Sequence, residues 1–405
     1  MTITTSSTPQ LNLPTTSKRH KVHHEKQQQP LIPGLPDHIA QLCLSQIKPS
    51  FLFCISSSWR RLIYSPSFPP FFSLYAILSS TSTSSIHFYN FDPISSTWHI
   101  LPPSPLYPPL LLRHPSFLSR NLSIQSISVS GNLVLLAATT LNLYPALSRP
   151  VIFNPLSQAW TFGPTLATPR RWCALGTSCG AVYVASGIGT HYSNDVAKSL
   201  EKWDVDKKNR EWESKKGLKD GRYSREAIDA VGWRGKLCMV NVKGDAAKEG
   251  VIYDVEEDVW KDMPEGMLSG WRGPVAAMAE DVMYVVDEVK GCLKKYVAEQ
   301  DYWEEVMVCE SLKGAEQIAA EGGRVCVVSG GKVSVVDVVA PTPRLTVVDL
   351  PQGFQAVAVH ILPRMPVCNL EYCRLRVCEG REVCGVNQEE RNGGGIFKKD
   401  NISRD

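Results

Sequence analysis

The sequence predicts a mainly β protein, a six-bladed propeller preceded by a small all-α module, and two patterns support this prediction. A segment made of an apolar strand, a turn and a Trp-bearing strand recurs along the chain, whereas helical periodicity is confined to residues 31–68. Steps of 62, 52, 48 and 43 residues separate the recurring tryptophans, which are Trp98, Trp160, Trp212, Trp260 and Trp303. A repeat of about 50 residues built from strands and turns is typical of propeller blades.

Each copy of the repeat reads as a β-hairpin, most clearly in GVIYDVEEDVWKDMP at Gly250–Pro264. An aromatic or β-branched residue precedes the turn, and in four copies Asp or Asn opens it, because Asx side chains cap their own turn backbone. We expect the tryptophans, in particular Trp160, Trp212 and Trp260, to be largely buried between adjacent sheets, with a partner for each indole N–H. Unrelated hairpins are the alternative, which five copies in register disfavour.

Composition places the chain among globular proteins and excludes several function classes. Of its 405 residues 43% are hydrophobic and 20% are charged, and the net charge of +3 divides into +7 through Gly163 and −4 beyond it. Neither half has the dense basic patch of a nucleic-acid-binding protein. The 12 scattered cysteines and the absence of a secretory signal predict an intracellular protein, in the cytoplasm or nucleus. The long uncharged stretches are broken by Pro or rich in Ser, Thr and Asn, so no membrane span is expected.

The N-terminal part of the chain differs in composition and periodicity from the rest. Residues 1–30 are rich in Ser, Thr, Gln and Pro and are expected to form a disordered leader. Within 31–70, Pro36 suits a first helical turn, Pro49 ends that helix, and Ser50 is a candidate cap for a second. The apolar faces of the two helices consist of Ile39, Leu42, Cys43 and Ile47, and of Phe51, Ile55, Trp59, Leu62 and Ile63. About 40 residues bury little surface alone, so a partner protein is expected.

This module resembles an F-box, the helical module that docks substrate receptors onto the Skp-type adaptor of cullin–RING ubiquitin ligases. The resemblance rests on Leu35-Pro36-Asp37, Ile39, Cys43-Leu44, Ile47, Pro49, Ser58-Trp59-Arg60, Leu62-Ile63, Ser65 and Phe68. It implies an adaptor-binding set of Leu35, Pro36, Asp37, Ile39, Trp59 and Leu62. The alternative is a small helical cap on the propeller, which would have the same periodicity.

The propeller is predicted over residues 71–362. The six units cover 71–115, 124–170, 171–225, 226–274, 275–315 and 316–350. The last unit has Leu345 where the others have Trp, and the first is short by one strand. FQAVAVHIL at Phe354–Leu362 is a spare strand that can complete the first blade, so that the C-terminal strand closes the ring and removes an exposed edge.

A second recurring segment links these units to a known repeat. GAVYVASG, GKLCMVNV, DVMYVVDE and GRVCVVSGG each place a turn residue before an apolar run. Together with the Asp…Trp hairpins they resemble the kelch repeat, and the pairing with the helical module resembles plant F-box/kelch-repeat proteins. The family's glycine pair is intact only at Gly330-Gly331 and is reduced to Ser186-Gly187 in an earlier unit. The resemblance implies a non-catalytic substrate receptor of an SCF-type ubiquitin ligase, with the target held by the propeller.

No catalytic or metal-binding constellation is found in the sequence. The HExxH, GxSxG and P-loop patterns are absent, and the histidines of the propeller region are dispersed. In the tail, 363–405, four cysteines at spacings of five, five and six do not match paired zinc ligands, so a disordered tail without metal is expected. No cofactor is expected. The alternative functions are a kelch scaffold outside the ubiquitin system and a propeller enzyme with a small ligand in its channel.

One recurring feature is a candidate for target recognition. After the Trp strands the chain places an Arg, often beside an aromatic residue: Arg113, Arg171-Trp172, Arg222-Tyr223 and Trp271-Arg272. The steps from Arg171 to Arg222 and from Arg222 to Arg272 are 51 and 50 residues, which predicts equivalent loops on one face of the ring. Arg and aromatic residues are enriched at interface hot spots. In the alternative, such an Arg bridges neighbouring blades through backbone carbonyls.

Overall fold

The computed structural model describes residues 30–83, 85–106, 110–111, 124–207, 211–224, 227–242 and 249–365. The chain divides after Ile63 into two compact units. In the described ranges the first unit contains three short helices and the second contains the sheets.

The helices of the first unit are α1, Asp37–Ser45, α2, Pro49–Ile55, and α3, Ser57–Ile63. The expectation that Ser50 caps the second helix is wrong, because α2 begins one residue earlier at Pro49, whose fixed φ and missing N–H suit a first helical position. The extended residue Ser56 separates α2 from α3. Its Oγ accepts a hydrogen bond from the backbone N–H of Trp59 at 3.1 Å and so caps α3.

The described residues of the second unit form six four-stranded antiparallel sheets. The first eleven strands are β1 Phe72–Ser80, β2 Ile86–Asp92, β3 Thr97–Ile100, β4 Ile124–Val129, β5 Asn132–Ala138, β6 Val151–Asn154, β7 Ala159–Phe162, β8 Ala174–Ser178, β9 Ala181–Ala185, β10 Leu200–Asp204 and β11 Glu213–Lys215. Those that follow are β12 Ala227–Trp233, β13 Lys236–Val242, β14 Glu249–Asp254, β15 Val259–Asp262, β16 Val275–Met278, β17 Val282–Asp287, β18 Cys292–Val297, β19 Tyr302–Val308, β20 Ala315–Glu321, β21 Arg324–Ser329, β22 Lys332–Asp337, β23 Arg344–Val348 and β24 Phe354–Pro363. Two short helices, α4 Asn194–Lys198 and α5 Glu265–Gly270, lie in connections.

Burial follows the position of a strand within its blade. The second strand is apolar on both sides, as in NLVLLAA of β5 and AVYVA of β9, whose residues are all buried. Such continuous apolar runs fit strands that have another sheet against each face. The fourth, outermost strand is mostly exposed, as in β3 and β7. The six-bladed, mainly β fold predicted from the repeat is confirmed.

The ring is closed by the C-terminal strand. The first blade has the strand order β24-β1-β2-β3, and β24 runs antiparallel to β1 from Phe72 opposite Pro363 to Ser80 opposite Phe354. The predicted pairing of FQAVAVHIL with the incomplete first blade is therefore confirmed. Because β24 supplies the innermost strand of a blade that β1 begins, the two ends of the propeller share one sheet and leave no open seam there.

The repeat tryptophans Trp160, Trp212 and Trp260 pack in the apolar clusters between blades, as expected, but each keeps a minor part of its side chain exposed. The physical reason is their position on or beside the outermost strand, where one ring edge meets solvent. The opposite face of each ring packs on the aromatic residue across the hairpin, as Trp260 does on Tyr253 at 5.2 Å between centroids.

Each repeat tryptophan also ties its blade to the preceding one. The indole Nε1–H donates to a backbone carbonyl just beyond the outermost strand of that blade. The pairs are Trp98 to Asp349 at 2.7 Å, Trp160 to Pro102 at 2.9 Å, Trp212 to Pro164 at 3.1 Å, Trp260 to Lys216 at 2.7 Å and Trp303 to Met267 at 2.9 Å. The sixth blade has half-buried Leu345 instead, packed in an apolar cluster.

Truncation of Trp160, Trp212 or Trp260 to Ala is expected to lower the free energy of unfolding by about 2–3 kcal/mol, below the ~3–5 kcal/mol of a fully buried site. Replacement by Phe keeps an aromatic ring but removes the Nε1–H donor and part of the ring volume, so it should cost about 1–2 kcal/mol. Urea unfolding followed by circular dichroism measures both changes. Losses below about 1 kcal/mol for all three Ala variants would contradict this account of how blades are joined.

Candidate binding surfaces

The helical unit exposes an unusual amount of apolar side chain for its size. Among residues 30–63, the part of this unit that the structure describes, only Ala40, Leu44, Leu52, Leu62 and Ile63 are buried. Ile39 and Leu42 lie three residues apart on α1, and Phe51 and Ile55 lie four apart on α2, so each pair occupies one side of its helix. The exposed apolar set of this unit, called here the helical apolar surface, is Leu35, Ile39, Leu42, Ile47, Phe51 and Ile55.

The residues proposed for adaptor binding differ in accessibility. Leu35, Pro36, Asp37 and Ile39 are exposed at the start of α1. Leu62 is only 5% exposed, so its side chain does not offer the contact that the resemblance implied.

Trp59, the remaining member of that set, is half-buried and holds the unit together, because its Nε1–H donates to the carbonyl of Leu31 at 2.7 Å.

The most exposed members of the helical apolar surface are absent from that predicted set. Leu42, Phe51 and Ile55 are 65%, 63% and 61% exposed. The periodicity placed Phe51 and Ile55 on one face with Leu62 and Ile63, but the break at Ser56 separates the pairs. Phe51 and Ile55 remain accessible, while Leu62 and Ile63 are buried. The break was readable in principle, since Ser56 stands three residues before Trp59 as a capping side chain does.

In the propeller, two kinds of connection lie at one end of the ring. Neighbouring strands are antiparallel, so the connections into each innermost strand emerge at the same end as those between second and third strands. We call this end the loop face; its described segments include 139–150, 163–173, 186–199, 216–224 and 263–274. Arg171, Arg222 and Arg272 all lie there, each shortly before the first strand of a blade, as the 51- and 50-residue steps predicted. Arg113 lies outside the described residues.

The predicted target-binding residues near Arg222 and Arg272 have unequal exposure. Arg222 is exposed and pairs with Asp220 and Glu249, both at 2.8 Å, while Arg272 is exposed. Tyr223 and Trp271 are buried in the apolar clusters between blades. Because these two aromatic side chains fill the core, they lack the exposure that the predicted contact with a target requires.

The adjacent residues Arg170 and Arg171 have opposite surroundings. Arg170 is 1% exposed and fully bonded, donating to the carbonyls of Thr168 and Ser186, to Ser199 Oγ and to Glu201 at 2.8 Å. It thus matches the structural alternative, in which the Arg holds backbone carbonyls. The guanidinium of Arg171 lies 4.3 Å from the ring centroid of Trp172.

The six innermost strands surround a central channel of about 680 Å³. Its wall combines small residues such as Gly176 and Ala230 with polar ones, and Trp172 lies at its loop-face mouth. Buried His360 of β24 contacts Ser126 Oγ through Nε2 at 2.8 Å and Ser128 Oγ through Nδ1 at 3.0 Å, which joins blades one and two. Burial lowers the pKa of His360 to about 4, so it is neutral at pH 7.

Stability is expected to fall as the pH drops from about 6.5 to about 4, because the unfolded chain binds a proton at His360 in this window and the folded chain does not. The loss from this group should reach about 3 kcal/mol near pH 4 and stay constant below it. Urea unfolding between pH 7 and pH 4.5 of the wild type and of His360→Gln measures the effect. Carboxylates titrate equally in both proteins, so equal pH slopes would contradict the assignment.

Among the described residues, no group of three or more His, Cys, Asp or Glu side chains is placed to hold a metal ion. None of the helices in the described ranges is both long and apolar enough to span a membrane. The eight cysteines of these ranges are all free thiols: Cys43, Cys54, Cys173, Cys179, Cys238, Cys292, Cys309 and Cys326.

Comparison with known proteins agrees with the helical unit and the propeller. No protein-family profile matches the chain. It is 51% identical over 369 residues to the F-box/kelch-repeat protein SKIP25 of Arabidopsis thaliana, which covers 86% of this chain and 93% of that protein. It is 26% identical to the F-box protein AFR and 25% identical to the F-box/kelch-repeat protein SKIP4 of the same plant, covering 68% and 64% of this chain and 74% and 70% of theirs. The extent of the first match, joined to a six-bladed propeller behind a short helical unit, shows that this chain belongs to the plant F-box/kelch-repeat family.

Proposed function

We propose that this chain is the substrate-recognition subunit of an SCF-type cullin–RING ubiquitin ligase. The helical unit docks the Skp-type adaptor, and through it the cullin, while the propeller binds a target protein. The observation that carries the proposal is the helical apolar surface, six exposed apolar side chains on a unit of about 35 described residues. Exposed apolar groups concentrated in this way mark protein interaction sites.

The composition of this surface suits an adaptor interface. A standard protein interface buries about 800 Å² on each partner, and large apolar residues at its centre supply most of the affinity. Leu42, Phe51 and Ile55 are the candidates for that centre, flanked by Leu35 and Ile39. The relatives are named F-box proteins, which supports the same assignment.

The propeller is proposed to act without catalysis. The Ser126–His360 pair in the channel resembles a nucleophile and its base, but a general base works best with a pKa near the operating pH. The pKa of His360, lowered to about 4 by burial, leaves it a weak base at pH 7. A receptor instead raises the effective concentration of target lysines beside the conjugating enzyme, which requires two binding surfaces and no reactive group.

In this proposal the module limits are those predicted from sequence: the F-box over 31–70 and the propeller over 71–362. The predicted leader, 1–30, and tail, 363–405, lie outside the described residues apart from Pro30 and residues 363–365. The partners place the protein inside the cell, in the cytoplasm or nucleus, and the free thiols suit such a reducing compartment. Neither nucleic acid nor membrane is proposed as a partner.

The proposal is tested by incubating the full-length chain with a purified Skp-type adaptor and then with the cullin. We expect the adaptor to be retained, and the cullin to be retained only when the adaptor is present. Failure to retain the adaptor, under conditions in which a known F-box protein does so, would instead favour a kelch scaffold outside the ubiquitin system.

A further inference from the structure

The guanidinium of Arg171 lacks the hydrogen bonds that the neighbouring Arg170 makes. Its Nε and Nη1 atoms are buried, and neither has a hydrogen-bond acceptor within the described ranges. Burial lowers the pKa of the Arg171 guanidinium below its usual range, and the nearby Tyr144 has a smaller, opposite effect on that pKa. A guanidinium remains charged in proteins, so Arg171 is a half-buried cation that has two donors removed from water and no acceptor for them in the described ranges.

The backbone holds this side chain in place. Arg171 exchanges two backbone hydrogen bonds with Ile188, both at 2.9 Å. Gly187, at φ +102°, permits the close approach, because a Cβ there would lie 2.9 Å from the carbonyl oxygen of Arg171. The backbone of this loop, and not an ion pair with an acidic side chain, therefore positions the Arg171 guanidinium.

Trp172 adds a second, independent observation. Its φ is +57°, a left-handed conformation that is uncommon for a bulky residue and costs about 1–3 kcal/mol. Strain of this kind is concentrated at binding and active sites. This backbone conformation places the Trp172 indole beneath the Arg171 guanidinium at the mouth of the channel. There the stacked ring restricts the movement of the guanidinium.

The surrounding loop face is suited to a protein segment. Leu141 and Tyr144, from the β5–β6 connection, and Tyr192, from the β9–β10 connection, are exposed on the same loop face, and Tyr144 is near enough to Arg171 to act on its pKa. Exposed aromatic and aliphatic groups beside an Arg are the composition of an interface centre.

We propose that Arg171 and Trp172 form an anion subsite that receives the carboxylate of an Asp or Glu side chain from the target protein. The inference rests on the proposed function, since it names the chemistry by which the propeller holds its target. A guanidinium pairs with a carboxylate in two parallel hydrogen bonds, through Nη2 together with either Nε or Nη1, so a bound carboxylate supplies an acceptor to one of the two donors that the described residues leave unbonded. Arg170 does not take part, because its donors are already used.

The test uses a random peptide library displayed on phage and selected on the full-length protein. Retained peptides should be enriched in Asp or Glu. Synthetic copies should lose about 10- to 100-fold in affinity when the acid is changed to its amide, or when the protein carries Arg171→Gln. Arg344→Gln, on the exposed outer strand β23, is the matched control and should leave affinity unchanged.

Three results would overturn the inference: no retained peptide, retained peptides without an acid, or affinities that Arg171→Gln changes by less than about twofold, far under the worth of a charged hydrogen bond. Should Arg171→Gln lower the melting temperature, the Asp-to-Asn peptide series on the wild-type protein gives the same decision. Adaptor binding is measured on the same variants. Peptide capture without adaptor binding would refute the ligase role alone, whereas adaptor binding without acid-dependent capture would refute the subsite alone.

Discussion

A chain that ends at Gly353 is expected not to form a stable closed propeller. The deletion removes β24, the innermost strand of the first blade, which pairs along the whole of β1. Four large apolar side chains of β24 are buried: Val357, Val359, Ile361 and Leu362. At about 1.5–3 kcal/mol each, their loss is comparable with the entire ~5–15 kcal/mol stability of a typical domain.

The deletion is tested by thermal melting and by target or peptide capture. A second truncation, after Met365, removes only residues that follow the last described strand and serves as the control. We expect the chain ending at Gly353 to lose both its cooperative melting transition and target capture, and the control to keep both. Adaptor binding should survive in each, because α1 to α3 lie outside the deleted sheet. Joint loss of adaptor and target binding would show that the two units form one cooperative structure.

The double substitution Leu42→Asp with Phe51→Asp is expected to weaken adaptor binding by at least about 100-fold, since two central apolar contacts contribute about 2 kcal/mol or more each. Both side chains are among the most exposed of the helical apolar surface, so the free protein should lose little stability. Carboxylates on this surface would have to be buried without partners in the complex. Titration of the adaptor, followed by calorimetry, measures the loss.

The matched control is Val289→Asp, an equally drastic change at a 78% exposed position of the propeller, which should leave adaptor affinity intact. Removal of Leu35 and Pro36, at the start of α1, should act in the same direction as the double substitution. Target capture should be unaffected by any change in the helical unit. Wild-type adaptor affinity in the double variant would show that the adaptor contacts another surface.

The architecture could be predicted from local patterns in the amino-acid sequence. Strand alternation, turn chemistry and the spacing of five tryptophans are local signals, and they were sufficient to predict six blades and the return of Phe354–Leu362 to the first. The short helical unit that precedes the propeller in the chain could be predicted for the same reason. The residues of the pattern lie within one or two turns of each other, where spacing alone decides which side chains share a face.

The exposure of individual side chains, by contrast, could not be predicted, because it depends on contacts between distant segments. Arg170 and Arg171 are identical and adjacent, yet one is enclosed by acceptors from residues 168–201 and the other stacks on Trp172 without an acceptor. Tyr223 and Trp271 fill the core, and Leu62 is buried. The half-buried tryptophans find carbonyl partners 36 to 251 residues away. Accessibility and hydrogen bonding depend on segments far apart in the chain, whose placement no local spacing contains.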